Sequence, residues 1–143
     1  MIDIENIVVN NVIDALSTAY SSAAPVVYSE YVEGPSELPC VTIYEANNST
    51  HRLSQDNYLQ EHNVNVMYEV NVYCADEINK KATAKAIADV VDTAMQNMKF
   101  TRTIRSQIPN VDRTIYRITM RYTAVVGEPF TVGSVETYQV YRQ

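Results

Sequence analysis

The stretch His62–Val91, HNVNVMYEVNVYCADEINKKATAKAIADVV, changes its hydrophobic rhythm halfway along. Through Cys74 every second residue is apolar, which predicts a strand. Val64, Val66, Tyr68, Val70, Val72 and Cys74 fall on a buried face, and Asn63, Asn65, Met67, Glu69, Asn71 and Tyr73 on a partly wet one. From Asp76 onward the apolar residues recur every three or four. That spacing predicts a helix capped by Asp76, with Ala84, Ile87, Ala88, Val91, Ala94, Met95 and Met98 buried and Lys80, Lys81 and Lys85 outside. A regular strand followed by a helix with an alanine-rich stripe describes a helix laid closely against a sheet.

Upstream, Asp3 is placed to cap a first helix whose inner face is Ile4, Ile7, Val8, Val12, Ala15, Leu16 and Ala19. Ser21, Ser22 and Pro25 end it, because proline cannot continue the hydrogen-bond ladder and restricts the residue before it. PVVYSEYVE reads as a short strand and GPSELP as a turn. Cys40–Glu45 alternates as another strand, leading into the polar stretch Ala46–His62. That stretch reads as a long hairpin tip, of a length that loops usually reach when they carry function. Downstream, FTRTIRSQI is a strand, PNVD a turn and Arg113–Val126 a long strand. The latter has Tyr116, Ile118, Met120, Tyr122 and Ala124 on one face and Arg113, Ile115, Arg117, Thr119, Arg121 and Thr123 on the other.

The order implies an α+β domain over residues 1–126. An antiparallel or mixed sheet of about four to six strands carries two helices packed on one face. Residues 127–143 form a C-terminal β-like arm or extra strand. Such an arm covers an edge of its own sheet or adds a strand to a neighbouring subunit.

Composition narrows the function. At 143 residues the chain is about one domain, and its 46% hydrophobic and 20% charged residues exclude a disordered or low-complexity protein. Seventeen acidic against eleven basic side chains give a net charge of -6, which disfavours bulk nucleic-acid or anionic-membrane binding. The N-terminus places Asp3 and Glu5 where a secretory signal needs basic residues, and no apolar run is long enough to span a bilayer, so a soluble, unexported chain is expected. Cys40 and Cys74 lie inside strands without metal or redox spacing, and reduced, half-buried thiols are expected.

Chemistry is sparse. His51 and His62 fall in or at the end of the polar stretch without a third ligand at metal spacing, and no phosphate loop or nucleophile elbow is present. Glu61, Glu69, Asp76 and Glu77 are close in sequence, but Glu61 and Glu69 are read as lying at the ends of a strand. No catalytic residue, cofactor or metal is assigned, and no enzyme is expected. The conspicuous charge pattern is Arg113, Arg117 and Arg121 on one strand face, with Arg102 and Arg105 on the preceding strand. In an acidic protein such arginines meet carboxylates on neighbouring strands or on another copy more readily than nucleic acid. Eleven tyrosines and no tryptophan suit protein interfaces, although Tyr68, Tyr116 and Tyr122 read as core.

The blocks MIDIENIV, LPCVTIYEANN, EHNVNVMYEVNVY, FTRT and IPNVDRTIYRITMRYTAVV, with a Lys-Lys opening to the second helix, follow one another in an order that resembles the tail terminator proteins of tailed bacteriophages and prophages. These proteins are also called tail completion or minor capsid proteins. The resemblance runs from Met1 to about Gly127, the arm extends beyond it, and MKFTR lacks an expected glycine. It implies a structural virion protein whose copies form a homo-oligomeric ring, typically of six, on the head-proximal end of the tail tube. The ring stops tail polymerisation and offers the head–tail joining surface. The implied partners are the tail tube protein, the head–tail connector or neck protein and, in a contractile tail, the sheath protein. Genome DNA passes through the lumen without specific binding, no membrane is involved, and assembly takes place in the host cytoplasm.

Ring contacts are expected on the polar stretch (Asn47, Arg52, Asp56, Tyr58, Glu61), the arginine face (Arg113, Arg117, Arg121) and the arm (Tyr138, Tyr141). The alternatives are another neck or head-completion protein and a cytosolic RNA- or ligand-binding α+β domain.

Overall fold

A computed structural model describes residues 3–21, 24–30, 38–50, 63–75, 79–109, 114–127, 130–132, 135–137 and 140–141. The elements run α1 (Glu5–Tyr20), β1 (Val26–Tyr28), β2 (Cys40–Thr50), β3 (Asn63–Cys74), α2 (Lys80–Asn97), β4 (Thr101–Gln107), β5 (Tyr116–Gly127), β6 (Phe130–Val132), β7 (Val135–Thr137) and β8 (Val140–Tyr141). The main sheet has the order β1-β2-β3-β5-β4, with β8 also paired to β5, while β6 and β7 form a separate hairpin. The β1–β2 pair is parallel and the other pairs are antiparallel, so the expected α+β class holds with a mixed sheet.

The alternation read in His62–Cys74 is the spine of the molecule. β3 pairs along its whole length with β5, from Asn63 opposite Gly127 to Cys74 opposite Tyr116. Its even-numbered residues join Val41 and Ile43 of β2 and Tyr116 to Val126 of β5 in one core. Val8, Val12 and Leu16 of α1 and Ile87, Ala88, Val91 and Met95 of α2 cover that core. The α2 stripe is as the periodicity predicts, with Met98 partly buried at its end.

α1 is rotated from its expected setting. A line at four-residue spacing, Ile4, Val8, Val12 and Leu16, is buried and flanked by Val9, whereas Ile7 is 41% exposed and Ala19 is exposed. α1 packs beside α2 as well as on the sheet, and the groove between the two helices is lined on the α1 side by Asp14, Ala15, Thr18 and Ala19, the edge that also carries the exposed Ile7. The N-cap is Ile4, one residue later than expected. Asp3 Oδ1 still accepts the Glu5 N–H at 3.0 Å, satisfying one of the helix's orphan donors. α2 opens at Lys80 with N-cap Asn79, and Asp76 lies outside the described residues.

β2 extends to Thr50, so the first part of the expected hairpin tip, residues 46–50, is strand. A register shift between Glu45 and Asn47 leaves Ala46 as an extra residue. The bulge keeps β2 paired past the point where its alternation breaks, which a reading by strict period two misses.

α2 ends without a glycine at the position where one is expected. Lys99 takes up the left-handed conformation, φ 70°. The Lys99 N–H donates to Gln96 O at 2.9 Å and the Phe100 N–H to Met95 O at 3.0 Å, which closes the last turn and turns Phe100 into the core. A side chain in this region costs about 1 kcal/mol relative to glycine. Lys99→Gly is therefore expected to stabilise the fold by about 1 kcal/mol, read as a rise in the urea midpoint at unchanged slope.

Candidate functional site: the sheet face opposite the helices

The odd-numbered residues of β3 point away from the helices. Register sets their neighbours in rows across the sheet: Tyr44–Glu69–Arg121–Ile104, Thr42–Asn71–Thr119–Ser106 and Cys40–Tyr73–Arg117. These rows form a hydrogen-bonded network. Arg121 Nε donates to Glu69 Oε1 at 3.1 Å, the Tyr44 hydroxyl donates to Glu69 Oε2, and Asn71 Nδ2 reaches Glu69 Oε2 at 3.3 Å. Asn71 Oδ1 accepts from Arg117 Nε at 3.0 Å, Arg117 Nη2 at 2.9 Å and Thr119 Oγ1 at 2.6 Å. The Arg117 guanidinium also lies 5.5 Å from the centre of the Tyr73 ring.

Burial makes these bonds count. Asn71 is 0% exposed and Glu69 7%, so the face expected to be partly wet is dry at its centre. Tyr73, Cys40 and Ile115 form a second small core beside the network. Glu69 is not at a strand's end: it lies in the middle of β3, where a lone carboxylate would be costly and a bonded one is tolerated. Thr42 Oγ1 is buried with no hydrogen-bond partner. Thr42→Val, which keeps the shape and removes the hydroxyl, is expected to raise stability by about 1 kcal/mol in denaturant unfolding.

Arg102 and Arg105 are on the other side of the sheet. A register shift between Arg102 and Ile104 places them opposite Tyr122 and Met120, which face the helices. There Arg102 Nη1 meets Asp92 Oδ1 at 3.1 Å and Arg105 Nη1 meets Asp89 Oδ1 at 2.7 Å, tying β4 to α2. The Tyr122 hydroxyl donates to the same Asp92 oxygen at 2.7 Å. Burial, and then that bond, push the Tyr122 hydroxyl pKa far above the ordinary phenol range, so it remains a donor.

The expected contact residues are placed unevenly. Asn47 is exposed on the same face as the network, opposite Met67. Arg117 and Arg121 have partners within their own chain, as described. Tyr141 lies in β8, opposite Val125. Arg52, Asp56, Tyr58, Glu61, Arg113 and Tyr138 lie outside the described residues. Sequence reading missed Glu69, Asn71, Asp89 and Asp92 as the arginines' partners. For Asp89 and Asp92 the available signal was their three-residue spacing on the outer edge of α2.

Cys40 and Cys74 are fully buried rather than half-buried. They take part in different cores, Cys74 beneath the helices and Cys40 on the opposite face, and are not joined in a disulfide. Asp3, which is exposed, and Glu5 and Glu45, which are partly buried, bring carboxylate oxygens within 4.8 Å of one another. Burial first, then Asp3 and Glu45, raises the Glu5 carboxyl above its usual range. Among the described residues no helix is long and apolar enough to cross a membrane. No family model and no curated protein matches the chain.

Proposed function

We propose that this chain is a tail terminator subunit of a tailed bacteriophage or prophage. In this reading copies assemble into a ring, typically of six, on the head-proximal end of the tail tube, stop its growth and present the head–tail joining surface. The observation that carries the reading is the order of the sequence blocks, because the three longest fall on adjacent strands of one sheet. LPCVTIYEANN leads into β2, EHNVNVMYEVNVY into β3 and IPNVDRTIYRITMRYTAVV into β5, the central β2-β3-β5 unit.

The placement of polar groups supports a structural role. The bonds of Arg117, Arg121, Arg102 and Arg105 join strand to strand and strand to helix, which stiffens the subunit. A six-membered ring closes only if each copy turns by about 60° relative to the last, and a subunit that flexes does not hold such an angle. The net charge of -6 suits a channel through which DNA slides, because tight phosphate binding would oppose passage.

The test is tube length. Tail-tube protein polymerised with the purified chain should give tubes of bounded length with additional density at one end in electron micrographs. Tubes that grow as long with the chain as without it, and carry no end density, would refute the proposal.

A further inference from the structure

The long strand β5 is flanked differently on its two sides. β3 occupies one side as far as Gly127. On the other, β4 ends with Thr101 opposite Thr123, and the remaining length is taken by β8, with Tyr141 opposite Val125 and Val140 opposite Val126. Val140 packs against the main core. Between Gly127 and Val140, among the described residues, β6 and β7 pair only with each other. Among the described residues the arm therefore joins the main sheet through a two-residue strand lodged in a slot at the end of β4.

We infer that in the assembled protein this slot receives β8 from a neighbouring copy, so that the arms are exchanged around the ring. The inference rests on the ring reading. Exchange preserves every contact of β8, the ladder to Val125 and Val126 and the packing of Val140, and changes only which copy supplies it. Slot and arm are different surfaces, so the contact is head-to-tail, the type that repeats around a ring. Of the arginines that charge patterning assigns to a neighbour, Arg117 and Arg121 are engaged at home, with Asn71 and Glu69, and Arg113 lies outside the described residues, so the arm offers a link between copies that does not draw on Arg117 or Arg121. An added strand supplies it through main-chain hydrogen bonds, and the side chain of Val140 supplies the anchor.

Cysteine cross-linking of the full chain tests this. Val126→Cys and Val140→Cys face each other across the slot, and the native cysteines are too buried to interfere. Separate Val126→Cys and Val140→Cys chains, unfolded, mixed, refolded and oxidised, should form disulfide-linked dimers, and the double variant should form a ladder of covalent multimers. Cross-links confined within single chains of the double variant would overturn the exchange.

Native mass spectrometry of the same samples separates this result from the ring reading. A ring with only internal cross-links removes the exchange and keeps the ring; linked copies without a closed ring do the reverse. If the cysteine pair prevents folding, p-benzoylphenylalanine in place of Tyr141 serves, in an equal mixture of isotopically heavy and light chains. Photo-linked β8–β5 peptides of mixed isotope support exchange, and unmixed ones overturn it.

Discussion

Replacing Asn71 with alanine is expected to lower the unfolding free energy by about 3 kcal/mol, among the largest losses available from a single polar side chain in this protein. Asn71 Oδ1 is the common acceptor for two donors of Arg117 and for Thr119, at 2.6 to 3.0 Å. Truncation leaves the hydroxyl of Thr119, a residue 4% exposed, and the guanidinium without this acceptor, and opens a gap at a position that is 0% exposed. It also removes the amide that bonds Glu69. Urea unfolding measures the loss.

Arg105→Ala sets the scale, because its partner Asp89 has a side chain 68% exposed and such pairs contribute about 0 to 1 kcal/mol. If Asn71→Ala costs no more than Arg105→Ala, the network is not holding the strands together, and the stiffness argued for the subunit loses its basis.

Phe100→Ala carries the second large expectation, a loss of about 3 to 5 kcal/mol. Phe100 is 1% exposed, and its ring meets that of Tyr68 edge-on, with centroids 5.6 Å apart and planes at 89°. It stands at the junction where α2 hands the chain to β4, with its N–H bonded to Met95 O. Truncation therefore leaves a cavity under the centre of β3 and loosens the turn that Lys99 closes. Phe100→Leu, which refills most of the volume, should recover much of the loss. Equal losses for both variants would mean that the aromatic edge contact, not filled space, dominates.

These two residues mark what can and cannot be read from a sequence here. The core under the helices was legible because it obeys simple periods: two along β3 and β5, and three to four along α2. α1 was legible in its central line and not at its flank, where Ile7 is exposed and Val9 is buried. The opposite face was not legible. An Asn or Glu at an outward strand position reads as solvated by default. Only the register that sets Glu69 against Tyr44 and Arg121, and Asn71 against Thr119, turns these residues into a dry network.

The bulges at Ala46 and Thr103 defeated counting in the same way. The first hid the continuation of β2 into the expected loop, and the second moved Arg102 and Arg105 to the side of the sheet that faces α2. Of the candidate contact residues, Arg117 and Arg121 were found by their charge and spacing, yet their partners lie in β3 of the same chain. Charge complementarity accounts for Arg121, which meets Glu69, while Arg117 is held by the neutral amide oxygen of Asn71.

Everything proposed about function depends on copies of this chain closing on one another. Native mass spectrometry of the purified full-length chain, at neutral pH across a range of concentrations, measures that directly. The account predicts one dominant closed species, with a mass of about six subunits, that persists on dilution. A monomer at every concentration, or an open series of oligomers without a preferred size, would contradict it.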